Sequence, residues 1–189
     1  GLRVLLGIIE NSATWMEDKK IPAYFPYKLS SESEHAATFF EIEFVDVSDI
    51  KFCYSIEYNQ NKIINETLDF YPNGVKANIF KRTENSDWKT IKFGKHYIGG
   101  TKQLPFFKNQ SYLSVAGRSA GAPQIVRDIY EFLTKRIVCL STHDPISYLK
   151  ISESYNALPA LREIASLFIP NIGINADALI VKEIENSDP

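Results

Sequence analysis

The feature that most constrains this fold is a strict two-residue alternation inside the stretch 39–93. Ile50, Phe52, Tyr54, Ile56 and Tyr58 share one parity, and Lys51, Cys53, Ser55, Glu57 and Asn59 share the other. A period of two sends successive side chains to opposite faces, which predicts a strand with one buried and one wetted face. Turn-forming clusters at Val47-Ser48-Asp49, Asn59-Gln60-Asn61, Pro72-Asn73-Gly74 and 83–87 divide the stretch into about five strands. Connections this short join antiparallel neighbours, so residues 39–104 are expected to form a β-meander. By the same rule Phe40, Ile42 and Phe44 face inward against Glu41 and Glu43, and Leu68 and Phe70 against Thr67 and Asp69. Val75, Ala77 and Ile79 are expected inward against Lys76 and Asn78, with Trp88, Ile91 and Phe93 closing the sheet.

The flanks read differently. Over residues 1–16, Leu2, Leu5, Leu6 and Ile9 recur at the 3.6-residue spacing of a helix with one apolar face. Residues 17–38 form a loop in which Pro22 and Pro26 bracket Ala23-Tyr24-Phe25. Tyr24, Phe25 and Tyr27 are expected to lie back on the sheet as a hydrophobic strap. Residues 105–189 read as helix, strand, helix, strand. Pro123 opens a helix over 124–135, a buried strand follows at 136–140, a helix spans 155–168, and a last strand covers 178–184. Strands concentrated in the first half and helices outside them make an α+β fold, an antiparallel meander packed with flanking helices. A chain of 189 residues suits one domain, or one with a small subdomain, and needs neither disulfide nor metal to stabilise it.

Composition removes several function classes. A formal charge of −2 gives no global attraction for nucleic acid or anionic membrane. No apolar run reaches the roughly eighteen residues that suggest a membrane span. Two cysteines, Cys53 on the wetted parity and Cys139 in an apolar run, fit free thiols in a reducing cytoplasm better than a disulfide. Gly100-Thr101-Lys102 lacks the order and spacing of a phosphate-gripping loop. His143 and Asp144, adjacent on a loop, are poorly placed to orient one another as a catalytic pair, and no nucleophile is tied to them. Ser114 and Ser141 lack a nucleophile-elbow pattern.

Two groups of residues stay as binding candidates. Lys81, Arg82, Lys89 and Lys92 crowd the last two strands around Trp88, a basic edge with an aromatic centre that suits a polynucleotide. The plainer reading, lysines that guard an edge strand against aggregation, is preferred. Small residues ahead of the helix at 124–135 leave its first N–H groups accessible as an anion seat with Arg118 beside it. A plain tight turn accounts for the same residues.

The stretch FEIEFVDVSDIKFCYSIEYNQNKIINETLDFYPNGVKANIFKR continues through Trp88-Lys89-Thr90-Ile91-Lys92-Phe93-Gly94. Leu113-Ser114-Val115-Ala116, Tyr130-Glu131-Phe132, Ile137-Val138 and a closing IGINADALIVKEIE follow it. With these pieces the chain resembles the middle of bacterial AAA-type/ABC-class P-loop ATPases of the abortive-infection and overcoming-lysogenization-defect group. The resemblance implies a fragment of an ABC-type ATPase head, with the Walker A loop before Leu2 and the signature motif, Walker B and switch histidine after Pro189. The opening without Met or N-cap and the stop just after a strand-like run read the same way, as ends cut from something longer.

The resemblance further implies ATP and Mg²⁺ in the intact protein, a homodimer, cytoplasmic location, and a phage-defence or DNA-related role beside a nuclease partner. The chain's immediate partner would be the rest of its own ATPase domain, and alone it would be catalytically inert. The family often carries a polar amide soon after L-S-x-A, where Arg118 stands here. A competing expectation is a standalone β-rich module that holds a peptide or polynucleotide in a concave pocket with converging polar groups.

Overall fold

The computed structural model describes residues 1–22, 24–27, 33–137, 139, 153–154 and 156–168. It divides into two units, Gly1–Val138 and Cys139–Pro189. The first holds the meander. Strands β1 (Thr38–Val45), β2 (Lys51–Tyr58), β3 (Ile63–Phe70), β4 (Ala77–Arg82) and β5 (Lys92–Phe93) make a five-stranded sheet in sequence order, and each neighbouring pair is antiparallel. Asparagine and aspartate build the tight turns. Asp46 Oδ1 accepts from the backbone N–H groups of Ser48 and Ile50, and Asn59 Oδ1 accepts from those of Asn61 and Lys62. These side chains stand in for a backbone carbonyl, which is why they punctuate strands.

Three α-helices accompany the sheet among the described residues of this unit. Helix α1 (Leu2–Asn11) ends in a 3-10 turn at Ser12–Thr14. Helix α2 spans Tyr112–Gly117, and α3 (Gln124–Glu131) runs into a π-helical turn at Phe132–Arg136. Leu5, Ile8 and Ile9 of α1, Tyr112, Leu113 and Ala116 of α2, and Val126 and Ile129 of α3 join the inner face of the sheet in one core. This is an α+β architecture, as the alternation required.

Several details depart from the reading of the sequence. Helix α1 stops at Asn11, short of residue 16, and buries Ile8 and Ile9 while Leu2 is largely exposed. The expected strap is not laid down. Tyr24 is half-buried, its hydroxyl donating to the Ala36 carbonyl at 3.0 Å, but Phe25 and Tyr27 are 80% and 64% exposed. Burial alternates along residues 24–27, with Phe25 and Tyr27 outward, and Ile21 is the buried anchor instead.

The larger correction lies in β4. Leu68 pairs with Phe80 and Asp69 with Asn78, so Ile79 is an extra, bulged residue. A bulge reverses parity beyond it. Phe80 and Arg82 therefore face the core and Lys81 faces water, while Val75, expected inward, lies ahead of the strand and is exposed. Cys53 keeps its outward parity but is only 7% exposed. It lies in register between Glu43 and Asp69, and its burial pushes the thiol pKa up, helped by the nearby carboxylates.

In the second unit, helix α4 spans Pro159–Phe168, with Leu161 and Ile164 exposed. Where a strand was expected over 136–140, Arg136 closes the π-helical turn and Ile137 and Cys139 are not in a strand; residues 138 and 140, the strand expected over 178–184, Ser141 and the His143-Asp144 pair lie outside the described residues. Among the described residues no helix is long and apolar enough to cross a membrane.

Candidate functional site

Residues 105–118 are stitched to the chain that follows α1. Asn109 Nδ2 donates to the carbonyls of Met16 and Lys19 at 2.7 and 2.8 Å. Gln110 Nε2 donates to those of Ala13 and Trp15 at 3.1 and 2.8 Å, while its Oε1 accepts from the Phe107 N–H. Ser111 N–H donates to Ser12 Oγ, and Ala13 N–H donates to Ser114 Oγ, each at 3.0 Å. Side-chain amides suit this task because each carries donors and an acceptor that replace solvent for a loop backbone.

Beneath the stitch lies a buried carboxylate. Glu66, on the inward parity of β3, accepts from Tyr112 N–H at 2.7 Å, Leu113 N–H at 2.9 Å, Ser111 Oγ at 2.8 Å and Tyr54 Oη at 3.0 Å. Ser111 caps α2 by accepting from Ser114 N–H at 3.2 Å. The first N–H groups of α2, which a helix cannot satisfy internally, thus have partners from the sheet and the cap. Arg82 stands opposite Glu66 in register, 3.7 Å from its Oε2. It donates to the carbonyls of Gln110 and Lys108 at 2.6 and 2.8 Å and lies over the Phe106 ring at 4.6 Å. Burial pulls the guanidinium pKa down, and Glu66 pulls it back up. Burial, then the Glu66 charge, pushes the Tyr54 hydroxyl well above the usual phenol range.

Beside this network opens a cleft of about 670 Å³ lined by Trp88, Phe106, Phe107, Lys108, Glu17 and Arg118, among others. Trp88 is presented by a small turn in which Asp87 Oδ1 accepts from the N–H groups of Lys89 and Thr90 and from Thr90 Oγ1. The Thr90 hydrogen bond comes first among the causes that lower the Asp87 pKa. Lys89 Nζ lies 5.0 Å from the Trp88 ring centre. The cleft's lining combines aromatic faces with cations and acids. Gln110, the amide within it, is occupied by backbone.

The candidate residues are therefore scattered. Trp88 and Arg118 share the cleft, and Arg118 Nη1 donates to the Glu10 carbonyl at 3.3 Å. Lys81 and Lys92 are exposed and directly opposite one another on the outer face. Arg82, expected among them, is 1% exposed and belongs to the inner network, because the bulge at Ile79 turned it over. Glu66, Asn109 and Gln110 were missed. A glutamate on the buried parity of a strand was the available signal for the first; nothing local signals the other two. Among the described residues no group of His, Cys, Asp and Glu is arranged to hold a metal ion. Comparison with known proteins returns no match, whether with family models, curated proteins or solved structures.

Proposed function

We propose that this chain is the sheet-bearing middle of an ATP-driven P-loop protein, a mechanical element rather than the part that performs chemistry. The observation that carries the proposal is that two separated stretches on which the family resemblance rests meet the end of the first helix. The L-S-x-A helix α2 touches the end of the first helix through Ser114 Oγ and Ala13 N–H. Arg118, just beyond it, and Tyr130 of the Tyr-Glu-Phe segment both donate to the Glu10 carbonyl, at 3.3 and 3.5 Å. A helix that leaves a phosphate-binding loop transmits motion only if its far end is fixed to the rest of the head. Here α2, Arg118 and Tyr130 do that fixing.

Helix α1 has 10 residues, so at about 1.5 Å per residue a P-loop ahead of Leu2 lies roughly 15 Å from its far end. Within this proposal Arg118 anchors that end and is not a phosphate ligand. Within it these residues are not the ones that hold ATP or Mg²⁺. Both belong to other parts of the same protein, where a P-loop gives backbone N–H groups and a lysine and an acidic strand end holds the metal. The intact protein would work as a dimer in a phage-defence or DNA-related system with a nuclease partner. Calorimetric titration of this chain with ATP and Mg²⁺ should give no binding signal. The natural coding sequence should carry, just upstream, a Gly-rich loop ending in Lys-Ser or Lys-Thr. Micromolar affinity in the chain alone, or a coding sequence without that loop, would overturn the proposal.

The cleft favours a second reading, a module that holds a peptide or single-stranded polynucleotide on Trp88 and Phe107 between Lys108 and Arg118. Titration with a single-stranded oligonucleotide tests it. A fluorescence change that disappears in Trp88→Phe supports this reading, and no change excludes the polynucleotide.

A further inference from the structure

The sheet has an open first edge. Strand β1 pairs with β2 alone, so along its 8 residues alternate N–H and C=O groups point away from the sheet. Among the described residues nothing meets them. The strand carries no bulge or proline, two of the devices that blunt such an edge; charge, in Glu41 and Glu43, is the one it has. Its inward residues Phe40, Ile42 and Phe44 are only half-buried, and Phe39 and Val45 are 59% and 52% exposed. A strand laid alongside would cover apolar surface and satisfy a row of hydrogen bonds at once.

Charge decides what that strand is. The outward face of β1 presents Glu41 and Glu43 at its centre. Glu43 is held by Lys51 at 3.0 Å on the β2 side, and Glu41 forms no ion pair among the described residues. A second copy is a poor occupant. Antiparallel self-pairing must place residues of like parity opposite one another, so the centred registers set Glu41 against itself or against Glu43. Like charges directly opposite destabilise a strand pair, whereas opposite charges stabilise it.

We propose that the free edge of β1 accepts an extended segment of another protein that alternates lysine or arginine with apolar residues, added as a sixth strand. Its cations meet Glu41 and Glu43 on the outer face, and its apolar side chains extend the inner face over Phe40, Ile42 and Phe44. The proposal does not depend on the ATPase reading.

The test uses the full chain and a short capped peptide alternating lysine with valine, followed by amide hydrogen exchange. The peptide should bind and slow exchange at the outward amides of β1. The double variant Glu41→Lys/Glu43→Lys should bind it roughly tenfold less tightly and gain comparable affinity for a glutamate–valine peptide. That reciprocal gain also shows that the variant is folded. The same lysine–valine peptide N-methylated at every residue, which lacks the donors of a ladder, should not bind. Absence of binding, equal binding of the lysine and glutamate peptides, full binding of the N-methylated peptide, or slow exchange at β1 before any addition would each overturn the proposal.

Discussion

Strands β3 and β4 and the turn between them carry two carboxylate–cation pairs, one on each face of the same sheet. On the inner face Glu66 faces Arg82 at 3.7 Å, with side chains 0% and 2% exposed. On the outer face Asp69 meets Lys76 at 3.0 Å, with Lys76 61% exposed. The shorter pair is the weaker one. Distance matters less than the medium and the company each charge keeps. Glu66 has two backbone N–H donors and two hydroxyls, and Arg82 has two carbonyls and the Phe106 ring. The inner pair is therefore the point where residues 108–113 are pinned to the sheet, while the outer pair is a polar cover over strands already paired.

The sharpest way to break this comparison is to remove Glu66. Glu66→Leu leaves Arg82 as an uncompensated buried charge and orphans the first N–H groups of α2, so it should cost about 3–5 kcal/mol. The shift of the denaturant midpoint measures it. Glu66→Gln keeps one acceptor oxygen and should cost roughly half as much. Arg82→Met should fall near about 2 kcal/mol, because the Glu66 carboxylate retains its other donors. Were Glu66→Leu to cost no more than Asp69→Leu, the distinction between the two faces would fail.

The contrast also explains what was legible in the sequence. The alternation over residues 50–58 was readable because β2 sits between two partners, so its inward parity is buried without exception. The turns were readable because Asp46 and Asn59 act within four residues of themselves. The bulge was not, because Ile79 and Phe80 are both apolar and both fully buried, so neither parity is marked as wrong. One hidden residue then moved Arg82 from the expected basic edge into the core. The cleft and the stitch were out of reach for another reason. The side-chain amide nitrogens of Asn109 and Gln110 find their partners 90 or more residues away, and no local pattern encodes that.

Alkaline pH sharpens the comparison at lower cost. Burial and the neighbouring Glu66 raise the Tyr54 pKa, burial raises that of Tyr112, and burial pushes Tyr58 up to about 12. In the unfolded chain these phenols titrate near 10. The folded state holds their protons more tightly, so their contribution is whole below about pH 10 and is lost as pH climbs through the folded values. Stability should fall by about 1.4 kcal/mol per pH unit for each such tyrosine above that point. Tyr54→Phe should remove one share of the slope while costing about 1 kcal/mol at neutral pH through its lost bond to Glu66. An unchanged slope in that variant would mean that the inner network opens before its tyrosine ionises.

The smallest effect belongs to the outer pair. Lys76 sits in solvent, and holding its long side chain against Asp69 costs conformational freedom that offsets much of the attraction. Lys76→Met should change stability by no more than about 0.5–1 kcal/mol, and the difference should shrink further in high salt. Asp69 still accepts from Asn78 Nδ2 at 2.8 Å after the lysine is gone, so its carboxylate is not stranded as Arg82 would be. Asp69→Asn should cost slightly more than Lys76→Met, because its effect reaches Asn78 and the bulge beside it. Denaturant midpoints for both variants at low and high salt check the order. A salt-independent loss from Lys76→Met as large as that from Arg82→Met would show that the two faces are held by the same kind of interaction after all.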